Sequence, residues 1–453
     1  MSSIILNSDS YKYSQYNQYP PGTEYVYSYI ESRGGKWDKT VYFGLQAFIK
    51  EYLMNPITKE DIDEAEEIIT AHGLPFYREG WEYILNTYQG SLPVKIRGID
   101  EGTVIPTKNI LVDIINTDTS CWWLTSFLET ALLRAIWYPT TVATNSYESK
   151  KIIKHFLEKN GDPSSIDFKL HDFGARGVSS LESAGIGGAA HLVNFMGTDT
   201  VEALCFLRKY YYADMAGFSI PAMEHSTVTS WGRENEIDSY RNMLKTHGKP
   251  GGLVACVSDS YDIFKACEMW GTELKQEVID SGATVVIRPD SGDPADVVTK
   301  CAKILDKNFG HTVNDKGYRV INNVRIIQGD GIDHQSIRAI LYSLDLAGYS
   351  SDNVAFGQGG ALLQQINRDT LKFAMKCSAA FINGNWIDVY KDPVTDPGKK
   401  SKKGLLALVK ENDEFKTVAR GLVDHKDLLT VRYENGNILN ETTFDEVRER
   451  TQL

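Results

Sequence analysis

Residues 169–200 read KLHDFGARGVSSLESAGIGGAAHLVNFMGTDT. An apolar run from Phe168 to Leu170 enters a polar loop, and a segment rich in serine, glycine and alanine then leads to a second apolar run. This order predicts a strand, a loop, a helix and a second strand, Leu192 to Phe195, which ends in Gly197-Thr198-Asp199. Ligands of α/β domains bind at the carboxyl ends of parallel strands. We therefore expect both loops to lie at the mouth of a ligand site.

The first loop combines an aromatic ring, a cation and a histidine, which are Phe173, Arg176 and His171. These residue types suit a flat ring against Phe173, a phosphate at Arg176 and an amide at Asp199 of the second loop. A purely structural interpretation is also open, in which Phe173 and His171 lie at the edge of the core and Arg176 pairs with Asp172. The loop by itself does not decide between the two.

The same pattern recurs between about residue 168 and residue 360. Short apolar stems enter polar or glycine-rich turns, namely Asp172-Phe173-Gly174, Thr198-Asp199, Glu224-His225-Ser226, Ser258-Asp259-Ser260-Tyr261-Asp262, Arg288-Pro289-Asp290-Ser291-Gly292-Asp293, Gln328-Gly329-Asp330-Gly331 and Gly357-Gln358-Gly359-Gly360. Continuous apolar stems such as Thr284 to Ile287 are typical of parallel strands buried on both faces. Units repeated at this density predict an irregular α/β barrel with its site at the strand carboxyl ends.

Both chain ends have a different pattern. Alternation over residues 26–33 follows the turn Pro20-Pro21-Gly22, and Asn435-Gly436 indicates a hairpin near the carboxyl terminus. We predict an α+β domain with an antiparallel sheet, built from residues 1–150 and 380–453, and an inserted α/β barrel domain of residues 151–379 that carries most of the active site.

Composition restricts the class of protein. The chain has 453 residues, 42% hydrophobic and 24% charged, which suits two or three soluble domains. The net charge of −12 is unfavourable for a nucleic-acid binder, and no apolar run reaches the roughly 18 residues of a membrane span. The six cysteines form no C-x-x-C pair. We expect a cytoplasmic protein with neither nucleic acid nor a membrane as a partner.

Acidic and glycine residues follow several of the predicted strands. Asp262, Asp290 and Asp330 could hold ribose hydroxyls or a magnesium ion that bridges phosphates, or could simply cap the helices that follow. The turns at 329–331 and 357–360 follow the last two strands, where backbone N–H groups often bind phosphate, although glycine also merely ends strands.

Cations converge on the same predicted mouth. Arg288, Arg176 and His225 all follow barrel strands. Together with the acids and the glycine turns they describe a site for a phosphorylated sugar and a flat ring.

Nine motifs go beyond these generic features. In chain order they are DSYKYSQYNQYPPGT, KLHDFGARGVSS, NFMGTDT, SIPAMEHST, CVSDSYDI, VIRPDSGDP, IIQGDGID, FGQGG and KDPVTDP. Their identity, order and spacing from about Asp9 to the carboxyl terminus resemble the nicotinamide phosphoribosyltransferase family of type II phosphoribosyltransferases. The resemblance implies that fold and a homodimer with two shared active sites. It also implies synthesis of nicotinamide mononucleotide and pyrophosphate from nicotinamide and 5-phosphoribosyl-1-pyrophosphate, with Mg²⁺, and with ATP as a co-substrate that phosphorylates His225.

The resemblance also implies roles for individual residues. Phe173 and Tyr11 of the other subunit would stack on the two faces of nicotinamide, and Asp199 would accept a hydrogen bond from its amide. The catalytic set would be His225, Asp262, Asp290 and Arg288, with Asp262 and Asp290 as Mg²⁺ ligands. Further substrate contacts would come from Asp9, Arg176, Ser258, Arg325, Gly329, Asp330, Gly359 and Gly360, and from Arg33, Arg368, Lys376 and Lys391 of the partner chain.

Two alternatives remain beside this interpretation. A nicotinate phosphoribosyltransferase would share fold and donor, but a carboxylate at ~4 Å from Asp199 would cost about 4 kcal/mol at an effective dielectric constant of 20. A non-catalytic binding or signalling protein with the same fold is the second alternative, and the intact set of acids and cations disfavours it. Ala175 and Ala374 depart from the tyrosine and serine expected in the family.

Overall fold

The structure is a computed structural model that describes residues 3–395, 401–422 and 426–452. The chain packs into two compact units. The first comprises Met1–Thr144, Leu207–Ala213 and Asn367–Gln452, and the second comprises Asn145–Phe206 and Asp214–Ile366. Both chain ends therefore belong to one unit, and the other unit is inserted between them. From the sequence we place these boundaries at residues 150 and 379.

Strands and helices alternate along most of the chain. The strands are β1 Thr23–Ser32, β2 Lys39–Val41, β3 Val94–Gly98, β4 Val104–Pro106, β5 Ile110–Asn116, β6 Leu170–Asp172, β7 Gly197–Thr198, β8 Leu253–Val257, β9 Thr284–Arg288, β10 His311–Val313, β11 Arg319–Ile321, β12 Val324–Gln328, β13 Val354–Gln358, β14 Phe373–Ile382, β15 Asn385–Asp388, β16 Leu406–Glu411, β17 Glu414–Ala419, β18 Thr430–Glu434 and β19 Asn437–Ile438. The α-helices are α1 Leu45–Phe48, α2 Lys59–Ala71, α3 Arg78–Tyr88, α4 Leu124–Phe127, α5 Glu129–Asn160, α6 Leu181–Leu192, α7 Val201–Tyr211, α8 His225–Thr229, α9 Glu236–His247, α10 Ile263–Gly271, α11 Lys275–Ser281, α12 Pro294–Phe309, α13 His334–Leu346, α14 Gly360–Leu363 and α15 Phe444–Arg450.

The first unit is built on a seven-stranded sheet with the order β15-β14-β1-β5-β3-β18-β19. Every neighbouring pair is antiparallel, and β1 lies between β14 from the carboxyl end and β5 from the amino end. The predicted antiparallel sheet formed from both chain ends is thus confirmed. The β18–β19 hairpin turns at Asn435 and Gly436, whose φ angles of 48° and 85° match the left-handed conformation that an Asn-Gly turn requires.

The second unit contains a six-stranded parallel sheet with the order β7-β6-β13-β12-β9-β8. The third predicted stem, which leads into His225, is not a strand. Instead its extended backbone makes single parallel bridges, Phe218 with Gly197 of β7 and Ala222 with Ala255 of β8. The segment therefore spans the two edge strands and closes the sheet into the predicted irregular barrel. Pro221 lacks an N–H, which limits regular pairing here.

The prediction of a second strand at Leu192 to Phe195 is wrong. Helix α6 runs through Leu192, and the strand is the short β7, Gly197–Thr198. Leu192 and Phe195 are fully buried on the helix and the turn after it. A short apolar run does not distinguish a strand from the end of a buried helix, and tertiary packing decides.

Both faces of the parallel sheet are buried. Val285 and Ile287 belong to the large core formed with the surrounding helices, and each such buried side chain contributes about 1.5–3 kcal/mol. Val286 and Ile327 belong to a small apolar cluster that includes Phe173. Across the described residues no helix combines the length and apolar character needed to span a membrane. All six cysteines are free thiols.

Candidate functional site

The carboxyl ends of the parallel strands and of the bridging segment meet at one mouth of the second unit, because parallel strands all point the same way. Eleven sequence-predicted residues of this unit end these elements or lie within five residues after them, namely Phe173, Asp199, His225, Ser258, Asp262, Arg288, Asp290, Gly329, Asp330, Gly359 and Gly360. The predicted site at the strand ends thus has a structural basis.

Phe173 forms a flat apolar surface at this mouth. Its backbone N–H donates to the Gln358 carbonyl at 3.0 Å, which extends the pairing of β6 with β13. The ring lies against two glycines: a Cβ placed on Gly357 would fall 1.9 Å from the ring, and one on Gly329 would fall 3.2 Å from it. We call the ring with these two glycines the Phe173 shelf. Only glycine at position 357 allows the ring to lie so close to the strand.

Asp172 ties the shelf to the neighbouring strand end. Its Oδ1 accepts from the Gly174 N–H at 2.7 Å, and its carbonyl accepts from the Asp199 N–H at 2.9 Å. Burial raises the pKa of Asp172 to about 6, and the charge of Asp199 adds to this rise. Phe173 and Asp199 therefore lie on two neighbouring strand ends that Asp172 joins.

The Asp199 side chain is exposed and held by one donor. Ser219 Oγ donates to Asp199 Oδ1 at 2.6 Å. Burial lowers the pKa of His171, whose Nε2 lies 3.1 Å from the Phe168 carbonyl, while the charge of Asp199 opposes this shift. A neutral His171 forms no ion pair with the Asp199 carboxylate. The second oxygen of that carboxylate can therefore accept a hydrogen bond from a ligand amide.

His225 lies at the start of α8 with its side chain 46% exposed. Its Nε2 is 2.9 Å from Asp259 Oδ1, and the Asp259 side chain is only 5% exposed. Asp259 Oδ2 accepts from the Asp290 N–H at 3.2 Å and from Ser291 Oγ at 2.6 Å. One buried carboxylate thus connects the histidine with the loop after β9.

Arg288 and Asp290 form an ion pair within that loop region. Arg288 Nη2 lies 2.9 Å from Asp290 Oδ2, and the guanidinium carbon is 5.9 Å from the centroid of the Phe173 ring. Arg288 Nε is buried without a hydrogen-bond partner among the described residues. A buried donor of this kind is normally satisfied, so Arg288 Nε is open to an oxygen of a ligand or of water.

Asp262 has the structural role that the sequence left open. It caps α10, and its Oδ1 accepts from the Phe264 and Lys265 N–H groups at 3.1 and 3.2 Å. Its side chain is still 39% exposed. Ser258 is fully buried, and its hydroxyl donates to the Cys256 carbonyl at 2.9 Å. The structure therefore gives the Ser258 hydroxyl an internal partner.

The glycine-rich ends of β12 and β13 provide partly exposed backbone. Gln328 Nε2 donates to the Asp330 carbonyl at 3.1 Å and so holds the turn that contains Gly329. After β13, Gly359 precedes α14, which begins at Gly360. A Cβ on Gly360 would meet nothing within 4 Å, so the space beside this turn is open. Such turns suit a phosphate held by backbone N–H groups.

The two remaining predicted residues of this unit, Arg176 and Arg325, differ in their surroundings. Arg176 is exposed in the turn Ala175–Gly177, and no ion pair joins it to Asp172 or to any other described acid. Arg325 requires a correction, because it does not face the mouth. Its Nη1 donates to the Ile321 and Val324 carbonyls, both at 2.6 Å, at the amino end of β12. We therefore leave Arg325 out of the proposed site.

The other predicted residues belong to the first unit. Asp9 Oδ2 accepts from Thr130 Oγ1 at 2.6 Å, and the Tyr11 side chain is 56% exposed. The four predicted cations of this unit influence one another. Burial lowers the pKa of Lys376, and the positive charges of Arg33, Arg368 and Lys391 lower it further. The negative charge of Glu129 opposes this shift. Like charges gathered in this way are typical of an anion site.

Several contacts of the mouth escape sequence reasoning. Asp259 and Gly357 occur in the quoted motifs, yet no local signal shows that the first holds His225 or that the second supports Phe173. Ser219 and Ser291 also occur in the quoted motifs, where nothing local marks them as partners of Asp199 and Asp259. All four act through partners at least 20 residues away, so only the fold reveals them.

The mouth suits a magnesium ion that takes only one or two carboxylates of the protein as ligands. Among the residues that the structure describes, no three His, Cys, Asp or Glu side chains are grouped to hold a metal ion. Magnesium commonly takes one or two carboxylates and fills its remaining positions with substrate phosphates and water. Asp262 and Asp290 are both partly exposed, at 39% and 23%, and match that donor set.

Comparison with known proteins gives a consistent result. Residues 168–437 match the nicotinate phosphoribosyltransferase (NAPRTase) family, and residues 3–96 match the nicotinamide phosphoribosyltransferase N-terminal domain. A protein of Xanthomonas campestris pv. campestris named nicotinamide phosphoribosyltransferase is 55% identical over 99% of this chain and 98% of its own length. Its namesake from Acinetobacter baylyi is 33% identical over 98% of this chain and 95% of its own length.

Solved structures share the fold. The crystal structure of nicotinate-nucleotide pyrophosphorylase from Pyrococcus furiosus superposes with a TM-score of 0.63 at 15% identity, covering 99% of this chain and 94% of that one. Human nicotinic acid phosphoribosyltransferase gives a TM-score of 0.59, also at 15% identity, over 98% of this chain and 93% of that one. At this level of identity the likeness concerns architecture alone.

Proposed function

Because this chain belongs to the nicotinate phosphoribosyltransferase family, we propose that its site transfers the phosphoribosyl group of 5-phosphoribosyl-1-pyrophosphate to nicotinamide. The products are nicotinamide mononucleotide and pyrophosphate, as in a salvage route to NAD. The chain is thus a pentosyltransferase, in agreement with the names of its full-length relatives. The free state of all six cysteines supports a reducing, cytoplasmic location.

The observation that carries this function is the Phe173 shelf beside Asp199. The shelf offers a flat apolar surface for a pyridine ring, and the carboxylate that Ser219 orients offers an acceptor for the amide N–H. A nicotinate carboxylate at the same place would face Asp199 at a cost of about 4 kcal/mol for ~4 Å and an effective dielectric constant of 20. The site therefore favours nicotinamide over nicotinate.

The chemistry needs positioning more than proton transfer. The pyridine nitrogen has a free lone pair at neutral pH, so it attacks C1 of the ribose without a general base, and the bond from C1 to the pyrophosphate oxygen breaks. Asp290 and Arg288 hold the ribose, which gains positive charge as that bond breaks, much as in glycoside cleavage. The turns at Gly329, Asp330, Gly359 and Gly360 hold the 5′-phosphate.

The pyrophosphate must be stabilised as it leaves. Arg176, Asp262 and His225 would be the groups of this unit on the pyrophosphate side, and the exposure of Arg176 supports that role. Asp262 and Asp290 would hold Mg²⁺, which neutralises charge on the pyrophosphate. His225 would accept a phosphoryl group from ATP, and this step would strengthen binding of the phosphoribosyl donor.

A homodimer with shared sites completes the proposal. Tyr11 of one subunit would stack on the open face of nicotinamide in the other, with Asp9 beside it. The exposure of the Tyr11 ring supports this arrangement. Arg33, Arg368, Lys376 and Lys391 would add their charge to the partner's site, and a buried Arg33 Nη2 without a partner among the described residues supports an anion there.

The test is direct detection of product. Purified protein is incubated with Mg²⁺, 5-phosphoribosyl-1-pyrophosphate and either nicotinamide or nicotinate, and the mononucleotides are quantified by mass spectrometry. We expect nicotinamide mononucleotide as the dominant product. Preferential use of nicotinate would favour the nicotinate alternative, and absence of both products would favour the non-catalytic alternative.

A further inference from the structure

A second cleft of the inserted unit lies between helices α5 and α13. Its volume is about 680 Å³, which is within the range of roughly 300–1,000 Å³ that small-molecule sites occupy. None of its residues belongs to the proposed transfer site. Six of the residues that line it carry a ring or a charge, namely His155, Phe156 and Lys159 of α5 and His334, Arg338 and Tyr342 of α13.

The three residues of α13 form a stripe along the helix. His334, Arg338 and Tyr342 are spaced four residues apart, so each lies beside the next on the same face. Ile337 and Leu341 of the same helix are buried in the core, so the stripe lies on a different face. Arg338 is exposed, and Tyr342 is 54% exposed. The helix therefore presents a guanidinium and an aromatic ring side by side to the cleft.

Arg338 forms no ion pair and no hydrogen bond with any residue of the described chain. On a helix, an arginine pairs with an acid that lies three or four residues away. The positions at these distances from Arg338 hold His334, Gln335, Leu341 and Tyr342. The guanidinium is therefore open to an anion from outside the chain.

The acids next to the cleft in the sequence already have partners. Asp345 accepts from Lys159 Nζ at 2.5 Å, and Glu158 pairs with Lys154. Asp333 caps α13 and accepts from the backbone N–H groups of residues 335 and 336, both at 2.8 Å. The cleft is thus lined by cations in a chain whose net charge is −12.

Two of these cationic side chains are held in position before any ligand arrives. Asp345 is only 6% exposed, and its hydrogen bond raises the pKa of Lys159, so the ammonium stays charged. An ammonium has three N–H donors, and Asp345 takes one of them. His334 Nε2 lies 3.0 Å from the Asn145 carbonyl oxygen, which fixes the imidazole. Side chains that are already ordered lose less entropy when a ligand binds.

The aromatic side chains of the cleft suit a flat ligand. The rings of His155 and Phe156 meet edge to face with centroids 5.4 Å apart, and Tyr342 lies on the facing helix. Aromatic side chains stack on nucleobases, and arginine binds phosphate through two parallel N–H···O bonds. The cleft therefore combines surfaces for both halves of a nucleotide.

We propose that this cleft is a second ligand site, which binds a nucleoside monophosphate. The phosphate contacts Arg338 and Lys159, and the base lies against Tyr342 and His155. A nucleic acid is a poorer ligand, because the negative net charge of the chain repels a polyanion. The site is independent of the transfer reaction, since none of these residues takes part in it.

The first experiment measures binding of AMP to the full-length protein by isothermal titration calorimetry. Mg²⁺ and 5-phosphoribosyl-1-pyrophosphate are present in excess to occupy the mouth, and nicotinamide is omitted. We expect one AMP per chain, and affinities for adenosine and for ribose 5-phosphate that are each about tenfold lower or less, because each provides one half of the nucleotide. Ribose 5-phosphate bound as tightly as AMP would overturn the base contact, and adenosine bound as tightly would overturn the phosphate contact. Absence of AMP binding would overturn the site.

The second experiment locates the bound AMP with substitutions of exposed side chains. Arg338→Gln should weaken AMP binding about tenfold, the value of one hydrogen bond to a charged group. Tyr342→Ala should weaken it about fivefold or more, the lower limit for a stacked base, whereas Tyr342→Phe keeps the ring and should bind as the wild type does. Arg208→Gln is the matched control, because Arg208 is an exposed arginine on a different helix, α7. Wild-type affinity in both Arg338→Gln and Tyr342→Ala would overturn the location.

A third measurement uses the wild-type protein, so it does not depend on the folding of any variant. After irradiation with 8-azido-AMP, the labelled peptides are identified by mass spectrometry. We expect the label on peptides of α5 or α13. Label confined to the loops after β9, β12 and β13 would place the nucleotide at the mouth and overturn the second site.

Discussion

Replacing Gly357 with alanine should weaken nicotinamide binding, because the added methyl group would displace the neighbouring Phe173 ring. The added Cβ would fall 1.9 Å from the Phe173 ring. Carbon atoms in contact are about 3.5–4.0 Å apart, so the ring must move by roughly 1.5 Å or more. The Phe173 N–H is bound to the Gln358 carbonyl at 3.0 Å, and the backbone therefore resists following the ring. Gly357 itself has no positive φ, so its own backbone accepts alanine.

The expected magnitude follows from the stacking that is lost. Stacking of a base on an aromatic side chain contributes about 1–3 kcal/mol, which corresponds to about a 5- to 140-fold rise in KM for nicotinamide. The KM for the phosphoribosyl donor should change much less. Overpacking also costs about 1–3 kcal/mol of folding free energy, so the melting temperature must be recorded with the kinetics.

Two comparisons isolate the steric effect. Gly421→Ala adds a Cβ that meets nothing within 4 Å and should leave the KM unchanged. In a Phe173→Ala background the ring is absent, so Gly357→Ala should have little further effect in a double-mutant cycle. A folded Gly357→Ala variant with a wild-type KM for nicotinamide would refute the assignment of the Phe173 shelf to the pyridine ring.

Four further outcomes follow from the same site. Asp199→Asn should reduce the preference for nicotinamide over nicotinate in paired kcat/KM measurements, and equal use of both by the wild type would refute this role. Mixing inactive Tyr11→Ala and Asp290→Asn proteins should restore part of the activity if heterodimers contain one intact shared site; no recovery despite proven subunit exchange would exclude shared sites. His225→Ala should abolish ATP hydrolysis yet retain slow, ATP-independent synthesis, whereas ATP-stimulated turnover in this variant would make His225 structural. Since burial raises the pKa of Asp172 to about 6, the folded chain binds more protons than the unfolded chain between about pH 4 and 6, so stability should fall by up to about 3 kcal/mol as pH rises through this range. Asp172→Asn should remove that fall in pH-dependent denaturation, and an unchanged profile would contradict it.

The fold class could be predicted from local sequence patterns. Continuous apolar stems such as β9 report burial on both faces, and the Asn435-Gly436 turn reports a hairpin, because both depend on neighbours within a few residues. The third predicted stem, which leads into His225, shows where this reasoning ends. Its composition suits a strand, but Phe218 and Ala222 make only single bridges to the two edge strands. Pairing depends on partners, which composition does not specify.

Positions at the mouth could also be predicted from the sequence, because a residue that follows a parallel strand must lie at that strand's carboxyl end. This rule placed Phe173, Asp199 and Asp290 at the mouth from order alone, and in the structure they follow β6, β7 and β9. It fails within a strand, where a side chain can extend toward either end. Arg325 is four residues before Gly329, yet it hydrogen-bonds at the amino end of β12.

The sequence by itself determined the architecture and the family of this protein, since both are written in residue types, order and spacing. Only the tertiary structure decided which side chains act together. Asp259 reaches both His225 and Ser291 because the bridging segment, β8 and β9 are neighbours in the barrel, although 34 and 32 residues of chain separate Asp259 from these two partners. Gly357 supports Phe173 because β13 pairs with β6, which lies almost 190 residues earlier. Such contacts join strands that are far apart in the chain, and local sequence propensity does not predict them.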